Sequence, residues 1–177
     1  MKRSNLLMLA GAAFFLTGCP YHSIYSAGPA SKAGTDPAIL GAWIGCNPES
    51  SRECIRLSVY RFNEKEYYAE TSEVRYENDM SKVSIQADRY RVSRTGIGTP
   101  PLFNVQPLDI STSVVSENYF ARIEFRGPDE LAVAFVSDGF VKSEFKSSGK
   151  LGDYLKGNID KPGFFEPFAV FQRVKKN

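Results

Sequence analysis

Histidine is nearly missing from this chain: His22 is the only one in 177 residues. A Ser-His or Cys-His nucleophilic mechanism in the body of the protein is thereby excluded, because no imidazole stands there to act as base. Histidine-rich zinc, copper or iron sites are excluded with it. Cysteine is scarce, at three, and tryptophan occurs once. No apolar run reaches the roughly 20 residues that a membrane-crossing helix needs. A carboxylate-only metal site would need clustered acids. The densest pairs, Glu64/Glu66 and Asp129/Glu130, fall in turn-forming stretches, where solvated charge is the natural reading. No spacing singles out two carboxylates for glycoside cleavage. Gly96-Ile97-Gly98 is followed by Pro100-Pro101, so no helix starts there to receive a phosphate. The chain reads as a non-enzyme without metal or cofactor.

What is present begins at the N-terminus. Lys2 and Arg3 precede Leu6–Leu16, an apolar or small-residue run that ends in Leu16-Thr17-Gly18-Cys19. A run of this length suits the core of an export signal and is too short to span a bilayer. The LTGC order resembles the lipobox of bacterial lipoproteins. That resemblance implies a signal peptide over residues 1–18 that is removed, and a mature chain starting at Cys19 with acyl chains on its sulfur and amine. One chain gives marginal membrane binding and two or more give stable anchoring, so the first partner is the lipid bilayer itself. Pro20 stands where Asp is linked to inner-membrane retention, which points to the outer membrane of the bacterial envelope.

The leader takes two of the 22 basic residues, and the remainder balances its 20 acidic ones. Net charge gives no argument for nucleic acid as a partner. Arg89-Tyr90-Arg91 with Arg94 mixes cations and an aromatic, but Arg89 and Arg91 share one strand face and read as solvated. With Cys19 assigned to lipid, Cys46 and Cys54 remain in an oxidising compartment, and a disulfide between them is the natural pairing. In the chain-entropy picture a bridge over so short a loop contributes about 2–3 kcal/mol.

Residues 19–37 are rich in Pro, Gly, Ser and Ala and hold no period. They read as a lipidated flexible tether with an r.m.s. reach of roughly 20–25 Å. The domain proper is 38–177. Ile55, Leu57 and Val59 alternate with polar neighbours, Asn63–Glu66 turns the chain, and Tyr67, Ala69 and Thr71 run back as a hairpin. Val83–Val92 is a third strand, 95–101 a loop, and Leu102–Ile110 a weaker strand that Pro107 makes an edge or bulged one. Tyr119–Phe125 and Leu131–Phe135 form a second hairpin about Gly127-Pro128-Asp129-Glu130. A further strand is expected over Phe140–Lys146. Leu151, Tyr154 and Leu155 then stand at helical spacing, and Phe168–Arg173 alternates once more. About eight strands with one short helix before the last argue for an all-β, single antiparallel barrel.

Gly41-Ala42-Trp43 at the first strand and Arg173 in Phe171-Gln172-Arg173-Val174 on the last resemble the lipocalin-like (calycin) barrels. The resemblance implies that Trp43 packs across one end of the barrel with Arg173 over it, a cation–π closure. It does not extend to a T-D-Y-x-x-Y block, which this sequence lacks.

Two functions from different classes fit this layout. One is a non-enzymatic interaction module on the periplasm-facing leaflet, its barrel filled and its loops touching another envelope protein. The other is a carrier or sensor of a small apolar ligand held inside the barrel. Large inward residues such as Tyr119, Phe125, Phe135 and Phe171 favour the filled barrel. Phe164 and Phe165, adjacent in a proline-bracketed loop, are the candidate partner contact if the segment is extended, since both cannot then point inward; the alternative is a loop that folds under the barrel and buries both.

Overall fold

The computed structural model describes residues 19–47, 50–77, 80–108 and 117–175. The leader, the first three residues of the lipobox and the end of the strand expected to run to Ile110 lie outside them. Nine strands form one sheet: β1 (His22–Ser23), β2 (Gly41–Asn47), β3 (Ser50–Arg61), β4 (Glu66–Glu77), β5 (Met80–Arg94), β6 (Leu102–Pro107), β7 (Asn118–Gly127), β8 (Glu130–Val136) and β9 (Phe165–Arg173). From β2 to β9 every strand pairs antiparallel with its sequence neighbours, and β9 returns to pair with β2. The result is a closed eight-stranded antiparallel barrel. Closure leaves few sheet edges open to other chains.

Period-2 alternation builds the wall. Val59, Tyr67, Ala69, Val92, Phe103, Val105, Ala121, Leu131, Val133 and Phe171 point inward and form one core with Trp43 and Ile39. A second core lies outside the barrel. There α1 (Ser148–Asn158) lays Leu151 and Leu155 over Leu102, Phe120 and Val136 on the outer faces of β6, β7 and β8. The helix starts at Ser147, whose hydroxyl accepts from Lys150 N–H at 3.4 Å, an N-cap that meets one of the free first-turn donors. Leu151 and Leu155, one turn apart, supply its apolar stripe.

The segment expected as a flexible tether is bound to the barrel from Pro20 onward. Tyr21 N–H donates to Val136 O at 2.9 Å, and its ring stacks on Phe120 at 5.9 Å. His22 and Ser23 pair with Tyr119 and Asn118 of β7. Asn104, buried in mid-strand, accepts from Ala27 N–H at 2.9 Å and donates to Gly28 O at 3.4 Å. Ser31 N–H donates to Arg94 O, Thr35 N–H to Glu64 O, and Asp36 N–H to the Tyr67 hydroxyl. At Gly152 a Cβ would stand 3.3 Å from Ala27 O, so the glycine lets this strap cross close to the helix. Composition misses the strap because its hold is on backbone groups, plus Tyr21 and Ala27, set among small polar residues.

Phe140–Lys146 is not a strand. With β8 paired on both sides, by β7 and by β9, no sheet edge remains beside it. Its apolar residues go to the outer core instead: Phe140 meets Phe164 edge-on at 5.2 Å, Val141 is buried, and Phe145 packs on Tyr154 at 5.0 Å. Pro107 ends β6, an interior strand paired on both sides, and does not mark an edge.

Candidate functional site

The two ends of the barrel differ. One end is closed by the chain entering β2. Asp36 caps a short 3-10 turn, Pro37–Ile39, its carboxylate accepting from Ala38 N–H at 2.9 Å. Trp43 is fully buried and donates its indole N–H to Ile39 O at 2.9 Å. Arg173 is its cross-strand partner on β9, with the guanidinium carbon 4.0 Å from the ring centroid. The same guanidinium donates to Leu40 O at 3.0 Å and Ala38 O at 2.7 Å, and it meets Asp129 at 3.3 Å. One side chain thus ties the last strand, the turn before the first strand and the β7–β8 turn together. The glycine of the G-x-W has a physical reason. Gly41 sits at φ +121°, and a Cβ there would stand 3.3 Å from an Arg173 nitrogen.

Towards the other end the wall parts. β2 pairs with β9 only through Trp43↔Arg173 and Ile44↔Gln172, although β9 stays paired with β8 as far as Val136↔Phe165. A cavity of about 490 Å³ opens beside this split. Ile55, Val74, Val133 and Ala169 line it, and the Cys46–Cys54 disulfide borders it. Phe168 (45% exposed) and Val170 (41%) stand at its rim. The rim charges come in both signs: Glu73 meets Arg75 at 3.5 Å, and Glu124 meets Arg122 at 3.0 Å. A shallower hollow of about 370 Å³ lies at the closed end, among Asp36, Ile39, Arg94, Pro100, Phe103 and Ile123.

Cys46 and Cys54 are directly opposite on β2 and β3 and are bridged. Cys19, the residue assigned to lipid, is exposed. The candidate partner contact is corrected. Phe164 is fully buried in the outer core, and Phe165 is half-buried, meeting Phe164 edge-on at 4.9 Å with Arg122 above it at 4.3 Å. The bend at Lys161–Phe164 folds the loop under the helix, so neither ring forms an exposed patch. The exposed apolar residues nearby are Phe168 and Val170, which the alternation alone did not single out. Pro167 beside them was the available signal, because proline inside a strand marks an edge or bulge, and the β8–β9 register does shift there.

The remaining charged motifs are engaged in the wall. Arg91 donates twice to the Glu66 carboxylate, both at 2.9 Å, and Arg89 meets Glu70 at 3.6 Å. Bonding to Arg91 holds the Glu66 carboxyl below its ordinary value. Glu130 accepts from Gln172 at 2.8 Å. The 95–101 loop is pinned: Ile97 is buried in the outer core, and Thr95 Oγ1 donates to Leu102 O at 2.8 Å. Burial raises the Tyr67 and Tyr90 hydroxyls, which stay neutral across the physiological range. Among the described residues no three His, Cys, Asp or Glu side chains come close enough to hold a metal, and no helix is long and apolar enough to cross a membrane. What the geometry offers is one lateral apolar groove with a charge-balanced rim, and exposed loops at the closed end. No protein-family model matches the chain, and neither curated proteins nor solved structures give a match.

Proposed function

We propose that this protein is a lipid-anchored envelope lipoprotein whose barrel serves as a non-enzymatic interaction module on the periplasm-facing leaflet, acylated at Cys19 in the outer membrane. The observation that carries the reading is the packing of the closed half of the barrel. Trp43, Tyr67, Phe103, Leu131 and Phe171 pack together inside the barrel towards its closed end, and the open space lies beside the β2–β9 split. A second packed core then holds the helix and the strap against the outside. Such construction favours rigidity over cargo, and it leaves the loops at 62–65, 95–101 and 127–129 at the closed end as presenting surfaces.

The carrier reading keeps one observation in its favour. The groove beside the β2–β9 split, at about 490 Å³, falls in the size range of small-molecule sites. Native mass spectrometry of the protein extracted from membranes separates the two. The module reading expects the acylated mass without cargo, together with an envelope protein captured by crosslinkers placed on the closed-end loops. A reproducible adduct that leaves on gentle activation, with no such capture, would overturn it in favour of the carrier.

A further inference from the structure

The residue assigned to lipid has no slack beneath it. Cys19 O accepts from Asp138 N–H at 3.3 Å, and Pro20 bridges to Ser137. Tyr21 is then held by Val136 and buried against Phe120. The chain beyond lies along the outer wall as far as Asp36. Val136 and Asn118, which receive the start of the strap, lie at the end opposite Trp43 and Arg173. Ile24, five positions from Cys19, is an apolar side chain left 56% exposed. A headgroup layer at that end would cover it. Near Cys19 stand the carboxylates of Asp138 and of Glu117, the latter 3.6 Å from His22, so attraction to anionic lipid is not what would seat this end.

We propose that residues 20–36 act as a rigid strap, so that the barrel stands on the bilayer with the Cys19–Asp138 end at the headgroups and the Trp43–Arg173 end facing away. This rests on the lipoprotein reading above. Strand β3 has 12 residues. At about 3.3 Å per residue and a tilt of roughly 40°, the far loops stand about 30 Å above the lipid. The surface left for envelope partners is therefore the closed end.

The test uses the full chain expressed with its leader in a Gram-negative host, extracted and reconstituted into phosphatidylcholine vesicles doped with a headgroup-nitroxide lipid. A fluorophore is placed at Asp138→Cys or at Glu64→Cys, both exposed positions. Quenching at 138 is expected to exceed that at 64 by at least fivefold. Ten Gly/Ser residues inserted between Cys19 and Pro20, outside the packed strap, are expected to abolish the difference. Equal quenching at the two sites without the insertion, or no effect of the insertion, would overturn the strap. The mass of the N-terminal peptide reports acylation separately. An unmodified Cys19 sinks the lipoprotein reading and the seat with it, whereas an acylated Cys19 with equal quenching sinks the seat alone.

Discussion

Replacing Arg173 by alanine removes the one side chain that joins three parts of the closed end. The guanidinium over Trp43 at 4.0 Å is a cation–π contact worth about 1 kcal/mol when partly desolvated. The two hydrogen bonds to Leu40 O and Ala38 O contribute about 1 kcal/mol each, after allowing for water that enters in their place. The ion pair with Asp129 is half-exposed and adds a few tenths. The expected loss is about 3 kcal/mol, or a drop in Tm of roughly 6–12 °C for a domain of this size. Arg173→Lys keeps the charge but reaches one carbonyl at a time, so about half the loss is expected. The assay is urea unfolding followed by the fluorescence of Trp43, the sole tryptophan, which sits inside the perturbed site. A double-mutant cycle with Trp43→Leu, followed by far-UV circular dichroism because that change removes the fluorophore, isolates the ring contact. A loss below about 1 kcal/mol for Arg173→Ala, or full rescue by lysine, would refute the account of the closed end.

Further expectations follow from the same geometry. Paired Cys46→Ser and Cys54→Ser changes should cost about 2–3 kcal/mol in denaturant unfolding, the chain entropy of a short closed loop, and reducing agent should reproduce the loss in the unmutated protein alone. Arg91 holds the Glu66 carboxyl below its ordinary value. The stability this pair supplies is therefore full above the ordinary carboxylate range and is lost as pH falls through the lowered folded value. Glu66→Gln should flatten that part of the acid limb in a pH series of unfolding midpoints, by up to about 1 kcal/mol for a partly exposed pair. Tyr21→Ala should cost about 2–3 kcal/mol and increase binding of an apolar dye, because it uncovers Phe120. A chain started at residue 33 should do the same, and an unchanged Tm in either case would contradict the strap's packing.

Much of the barrel is written in period-2 alternation, and the hairpins about 63–66 and 127–130 fall where the turn residues put them. Leu151 and Leu155 announce the helix. The closed end was legible only in part. Resemblance pairs Trp43 with Arg173, but two further acceptors of Arg173 are the main-chain oxygens of Ala38 and Leu40, and no side-chain pattern encodes those. Phe140–Lys146 failed for a topological reason, since alternation gives a strand its faces but cannot supply a free neighbour. The strap failed because composition averages over a segment. Its attachment rests on Tyr21, on Ala27, and on Asn104 waiting far along the chain. The groove was not legible at all, because it arises from how few residue pairs β2 and β9 share.

The outer core has a consequence for how this sequence can vary. In β3 and β4 one face looks inward and the other meets solvent, so tolerance to substitution should alternate along those strands. In β6 both faces are covered: Leu102 and Asn104 by the helix and strap, Phe103 and Val105 by the barrel interior. Phe120 and Ala121 likewise belong to different cores although they are neighbours in the chain. A deep mutational scan should therefore record a comb in the first half of the barrel and a solid block at 102–105. Natural drift, confined to the teeth of that comb, would repaint one side of the barrel freely and leave the other almost unread by selection for partners.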